Sequence, residues 1–284
     1  QQSNVLVTAG IQEGRFLTIQ MIGDIFDCIA LPEVVHPGAR QAVGVRRLEV
    51  KRLPVGGENG FLPTVSGIRA VLEDGCRLLY LESPVRLTGA TFDKAELLEI
   101  AEMLKAHDAA AVWDQGVAPW VVDGEYISLG AQPDMASRVA VLGEAWPGLG
   151  LESWQIGYIG ANEDWIERMR SQKQIMSICT STPSQFAAVA APSVYPVLHK
   201  AQVQGLADMR AKTLEGVKEW DVKPLKGETV NIIALKPADA NRAKSILRQK
   251  SFWFADGADF GAPGVLRLSV VPDGATLEAL ELLA

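Results

Sequence analysis

The side chains of this chain best equipped for chemistry are two arginines, two strand-end carboxylates, one histidine ahead of a proline and a glycine-led turn. Gly10, Ile11 and Gln12 follow the short apolar run Val5 to Thr8 and open a helical segment. Backbone N–H groups at a helix start attract an anion whatever the side chains are. His36 stands before Pro37 in a loop, where an imidazole can stack on a ring or exchange a proton. Asp114 ends the run AAAVWD and Glu144 ends VLGE, positions from which a carboxylate acts as acid or base or caps the next turn. Arg267 lies inside an apolar strand, where an unpaired guanidinium is costly, so it calls for a carboxylate: a ligand's, or an internal one such as Glu144. Arg86 is open to neutralisation by Glu144 or Asp114 in the same way.

The elements that must position these groups alternate. Val5 to Thr8, Arg77 to Leu81, Ala109 to Trp113, Val139 to Leu142 and Ile156 to Ile159 read as strands; Gln12 to Met21 and Lys94 to Ala106 read as helices, the second capped by Thr91 or Asp93. Strands alternating with helices imply an α/β fold with a mostly parallel sheet between helical layers and ligands at the carboxyl ends of the strands. Ser184 to Lys218 reads as long helix interrupted near Pro192 and Pro196. Then come a strand at Val230 to Leu235, a helix at Ala238 to Gln249 and a strand at Val265 to Val270, a smaller α+β unit. The expected division is a large domain over 1–190 and a connecting helix with a small domain over 191–284.

With 284 residues, 48% of them hydrophobic, the chain buries a full core. A net charge of −7 and a pI near 5.1 disfavour nucleic acid as a partner. No run of apolar residues reaches the length of a membrane span, and no leader pattern opens the chain, so a cytoplasmic protein without membrane contact is expected. The chain begins at Gln1 rather than methionine, so further upstream material is expected. Cys28, Cys76 and Cys179 are far apart in sequence and lack metal-ligand spacing, which suits reduced structural thiols and no metal site. Glu96, Glu99 and Glu102 read as a solvated helix face, and Trp113, Trp146 and Trp154 as packing aromatics.

Eight segments in order carry a family resemblance: NVLVTAGIQEG from Asn4, HPG from His36, ENGFLP from Glu58, SPVRLTG from Ser83, VWDQGV from Val112, VLGEAWPGLGLESWQIGYI from Val141, TPSQFAA from Thr182 and FGAPGVLRLS from Phe260. Together they resemble the class I/II aminotransferases, fold type I enzymes dependent on pyridoxal phosphate. The family's N-terminal arm and the first part of its small domain have no counterpart here. The resemblance implies that Gly10, Ile11 and Gln12 face the cofactor phosphate, that His36 takes the place of the ring-stacking aromatic, that Asp114 pairs with the pyridine nitrogen, and that Arg267 grips a substrate carboxylate. It also exposes departures. The Schiff-base lysine falls at Pro147, and no lysine occurs between Lys105 and Lys173. The phosphate-holding serine and arginine fall at Glu144 and Gln155, and the asparagine and tyrosine that would contact the ring oxygen fall at Arg86 and Val117. Lys173 lies downstream of the catalytic loop, where a solvated surface role is expected.

The resulting expectation is an aminotransferase-like pseudoenzyme that binds a small carboxylate or a partner subunit, as a homodimer or a pseudo-subunit of a related enzyme, with no cofactor. The alternative is a pyridoxal-phosphate-dependent aminotransferase acting on an amino acid and 2-oxo acid pair. A third reading is a decayed relative without molecular function.

Overall fold

A computed structural model describes residues 2–121, 126–149, 152–217 and 222–283. Seven strands form the large sheet: β1 (Val5–Ala9), β2 (Cys28–Pro32), β3 (Glu49–Leu53), β4 (Leu78–Glu82), β5 (Ala110–Asp114), β6 (Val139–Glu144) and β7 (Ile156–Gly160). Their spatial order is β1-β7-β6-β5-β4-β2-β3. The pairs β2–β3, β2–β4, β4–β5 and β5–β6 are parallel, whereas β7 runs antiparallel to both β1 and β6. β4 and β5 are buried along their whole length. Such strands read as continuous apolar runs because both faces are covered.

Two apolar cores account for that covering. On one face α1 (Gly10–Ile22), α2 (Pro37–Arg46) and α5 (Glu163–Met176) pack through Leu17, Ile22, Ala42 and Ile166. On the other, α3 (Val65–Glu73) and α4 (Lys94–Ala106) pack through Ile68, Leu72, Ile100 and Leu104. Asp93 and Glu96 close a capping box that starts α4, so Asp93 rather than Thr91 is the cap. α6 (Thr182–Ala190) and α7 (Tyr195–Val217) are separated by one turn of 3₁₀ helix at Ala191–Ser193, the interruption expected from the prolines. Lys218, the expected helix end, lies outside the described residues.

A second sheet of order β10-β11-β9-β8 follows, from β8 (Val222–Pro224), β9 (Ile232–Pro237), β10 (Ala255–Asp256) and β11 (Leu266–Ser269), with α8 (Ala240–Gln249) and α10 (Ala275–Glu281). Its own apolar core includes Ile233, Leu247, Leu266 and Leu280. The sequence reading omitted β2, β3, α2, α3 and α5, and in the second sheet's region β8, β10 and the last helix. β3 is an edge strand whose side chains are mostly exposed, so it lacks an apolar run. α2 contains Pro37, Gly38 and Gly44, which dilute the helical signal.

Lys173 corrects the expectation of a solvated lysine. It is only 4% exposed, and its Nζ lies 2.6 Å from Glu13 Oε2 and 3.3 Å from Ser177 Oγ. Glu13 also accepts the Ala9 N–H at 2.6 Å, so the pair ties α5 to the start of α1. Burial pushes the Glu13 pKa up, and bonds from Lys173, Ala9 and Ser177 outweigh it and leave the pKa lowered. Lys173→Met strands that carboxylate and is expected to lower unfolding stability by about 3 kcal/mol in urea titrations.

Candidate functional site

The centre of the site is a buried ion pair. Asp114, at the carboxyl end of β5, and Arg15, one turn into α1, are 0% and 1% exposed. Arg15 Nε and Nη2 both lie 2.7 Å from Asp114 Oδ2. Tyr80 on the neighbouring β4 donates its hydroxyl to the same oxygen at 2.8 Å, and Gly116 N–H donates to Oδ1 at 3.1 Å. Asp114 is thus both ion-pair member and cap of the turn that follows it. Burial alone would raise the Asp114 pKa; Arg15, then Arg86, hold it well below the usual range. Burial likewise opposes the charge on Arg15, yet Asp114 raises its pKa further.

Glu82, the last residue of β4, is the second buried carboxylate, 3% exposed. It accepts the backbone N–H of His36 at 2.8 Å and of Arg86 at 3.1 Å, clamping two loops at the strand ends. Burial and the neighbouring Asp114 push its pKa up to about 7. His36 caps α2, its Nδ1 accepting Gly38 N–H at 3.0 Å, and its ring meets Phe260 edge-on at 5.9 Å. Burial, with Arg15 and Arg86 nearby, pushes the His36 pKa down to about 3. A neutral imidazole whose Nδ1 is engaged is therefore the form at neutral pH.

Beside this cluster, a cavity of about 280 Å³ is lined by Gly10, Ile11, Gln12, Glu144, Pro147 and Gln155, six positions singled out in the sequence. α1 begins at Gly10 with φ of +70° and no side-chain cap, leaving its first N–H groups free for an anion. Gly157 at the start of β7 packs against that entry: a Cβ there would lie 2.6 Å from the Gly10 carbonyl carbon. Gln12 turns away from the cavity, its Nε2 3.2 Å from the Gly38 carbonyl and its Oε1 3.1 Å from Arg15 Nη1. Facing the helix entry, Glu144 lies 3.3 Å from Arg86 Nη2. Arg86 Nη1 and Ile11 Cδ1 fill the space above Gly116, where an added Cβ would come within 2.6 Å of each.

Arg267 on β11 departs from the expectation of an internal carboxylate. Among the described residues no carboxylate lies within 4.0 Å of it, and Glu144 is taken by Arg86. Instead its Nη1 donates to the Arg86 carbonyl at 2.9 Å, its guanidinium carbon sits 5.6 Å from the Phe260 ring centre, and its buried Nε has no partner. A π face and a carbonyl stand in for the missing anion. Burial and Arg86 lower its pKa to about 10. Val117 lies elsewhere, in the apolar cluster of Trp120, Leu206 and Ile232.

The sequence reading missed Arg15, Tyr80 and Glu82. Each carried a signal: an arginine between apolar helical positions, a tyrosine amid leucines, and a glutamate closing an apolar strand.

The family model for aminotransferase class I and II matches residues 1–283. The chain belongs to that family. An arginine–pyruvate transaminase of Pseudomonas aeruginosa is 27% identical over 155 residues, covering 55% of this chain and 39% of that protein. An aspartate/prephenate aminotransferase of Thermus thermophilus is 25% identical over 280 residues, covering 93% of this chain and 70% of that protein. The chain thus spans less than half the length of some relatives that it matches and about 70% of others. An aspartate aminotransferase structure from Thermus thermophilus, determined with maleate, superposes with a TM-score of 0.90 at 22% identity, covering 99% of this chain and 75% of that one.

The family's cofactor, pyridoxal phosphate, requires an amine for its aldehyde, donors for its phosphate and a carboxylate for its ring nitrogen. Pro147 offers no amine, and among the described residues no lysine lines the cavity. Glu144 sets a carboxylate on the phosphate side. Asp114 Oδ2 already receives Arg15 and Tyr80, and Arg86 covers Gly116 beside it. These residues do not fit the group.

The depressed His36 pKa gives a measurable linkage. An unfolded histidine protonates near pH 6.5 while the folded one resists until about pH 3, so stability is present above pH 6.5 and is lost as pH falls through that window. Between pH 6.5 and 4 the native chain is expected to lose about 3 kcal/mol more than His36→Asn, which keeps an acceptor for Gly38, in denaturant melts across pH.

Proposed function

We propose that this chain is a non-transaminating member of the class I/II aminotransferase family that binds a small carboxylate at Arg267 and works as a pair of identical subunits. One observation carries the reading: the two carboxylates facing the cofactor position are neutralised by the chain's own arginines, Asp114 by Arg15 and Glu144 by Arg86, with Pro147 on the same loop. Such a site holds its charges in place without a dianionic phosphate.

Arg267 retains binding capacity. Its Nε is unpartnered and its charge lacks a facing carboxylate, so a ligand carboxylate supplies both the missing hydrogen bonds and the missing charge. His36, neutral and edge-on to Phe260, does not compete for the anion. No acid–base role follows for it.

The pairing rests on a different surface. Around α6 and the start of α7, Ile178, Phe186, Val189 and Val197 are 72–77% exposed, and Ile175 is 90% exposed. Large apolar side chains this exposed, concentrated between residues 175 and 197, point to an interaction site. The family resemblance supplies a second copy as its occupant.

Three measurements test the reading. Titration with pyridoxal phosphate, followed by borohydride reduction and intact-mass analysis, is expected to give no near-visible aldimine band and no lysine adduct. A site-specific adduct would instead make the chain an aminotransferase acting on an amino acid and 2-oxo acid pair. Maleate, the ligand of the Thermus thermophilus structure, is expected to raise the melting temperature of the native chain, and Arg267→Ala to lose that rise by at least tenfold in apparent affinity. Light scattering on the native chain is expected to report a dimer, and Phe186→Glu with Val197→Glu a monomer.

A further inference from the structure

Cys28 and Cys76 lie 48 positions apart in sequence, yet their sulfurs are 3.0 Å apart. Distance along the chain does not keep this pair apart, because β2 and β4 are neighbours in the sheet. Ala30 of β2 stands opposite Leu79 of β4, which brings Cys28, at the foot of one strand, beside Cys76, just ahead of the other. Both thiols are free, Cys28 half-buried and Cys76 buried, and Cys76 Sγ lies 3.4 Å from the Leu78 carbonyl oxygen. A disulfide is about 2.05 Å long, so the sulfurs need approach by only about 1 Å, within the reach of side-chain torsions.

We propose that Cys28 and Cys76 form a redox modification site, in which a hydroperoxide oxidises Cys28 and Cys76 then closes a disulfide across the feet of β2 and β4. In the first step the Cys28 thiolate attacks the terminal peroxide oxygen. An S–O bond forms, the O–O bond breaks, and water or an alcohol leaves with the thiol's proton. In the second step Cys76 sulfur attacks Cys28 sulfur; the S–S bond forms, the S–O bond breaks, and the departing hydroxide takes the Cys76 proton as water. Each sulfur loses one electron and the peroxide gains two.

The order of events follows from position. Cys28 is the thiol that solvent reaches, at the strand end. Burial pushes the Cys76 thiol up to about 12, so its attack is the slow step and the Cys28 sulfenic acid accumulates first. Closure ties residues 28 and 76 around α2, β3 and α3, the segment that also carries His36. The bond forms at the opposite end of β2 and β4 from His36 and Glu82, so it stiffens the strands beneath the site without occupying it. This inference stands independently of the function proposed above.

Cys179 is exposed and would form adducts of its own, so the experiment uses the full chain carrying Cys179→Ser. Reduced protein is treated with hydrogen peroxide, denatured in an alkylating agent and mapped by mass. Dimedone is expected to trap Cys28 at early times. At late times the chain should be two hydrogens lighter, carry a Cys28–Cys76 linked peptide, and melt roughly 5 °C higher, with dithiothreitol reversing each change. In Cys28→Ser the peroxide should leave Cys76 alkylatable and the melting temperature unmoved. Alkylation of both thiols after oxidation, or over-oxidised Cys28 beside a free Cys76, would overturn the proposal.

Discussion

The buried pair of Arg15 and Asp114 is the constraint around which the rest of the site is arranged. Neither charge has access to solvent, so each requires the other, and breaking one side would leave an uncompensated ion in a low-dielectric interior. The pair fixes the rotation of α1 about its axis, because Arg15 must face β5. With that rotation set, Gly10 to Gln12 present their N–H groups to the cavity, Gln12 is drawn onto Arg15, and Ile11 lies over Gly116. Tyr80 joins from β4, so the ion pair also links the helix to two central strands.

From this follows an unusual charge balance. Burial first, and then the guanidiniums of Arg15, Arg86 and Arg267, keep the His36 imidazole neutral. Asp114 and Glu144 offset the first two, while Arg267 has a carbonyl and an aromatic face in contact and the charge of Glu82 only at longer range. The region therefore divides into a neutralised part under β5 and β6 and one residual positive centre on the small sheet.

Much of the fold was legible in the sequence, for a physical reason. Buried strands such as Ala110–Asp114 and the capped helix Lys94–Ala106 advertise themselves through apolar runs and caps. β3 and α2 did not, since an exposed edge strand and a glycine-bearing helix obtain their stability from neighbours rather than from local pattern. The same division holds for the site. Gly10, Gln12, Glu144, Pro147 and Gln155 were legible because motif order places them at one cavity. Arg15, Tyr80 and Glu82 were not, since their importance arises from contacts between residues as many as 99 positions apart. The burial of Lys173 was misread for that reason too, and the Cys28–Cys76 contact was not visible: burial and proximity are properties of packing, which spacing along the chain does not encode.

The inverted direction of β7 has a separate consequence. β6 and β7 pair as a hairpin: the chain leaves the sheet after Glu144 and re-enters at Ile156, in the adjacent position and at the same end. The parallel pairs β2–β3 and β4–β5, by contrast, are joined through α2 and α4, which help build the two apolar cores. A hairpin of this sort is a local insert: its residues can change without altering the registry of any crossover unit. The architecture thereby separates the durability of the scaffold from the chemical character of one loop. A chain of this shape can carry a pyrrolidine ring at Pro147, or another side chain in its place, with the fold intact.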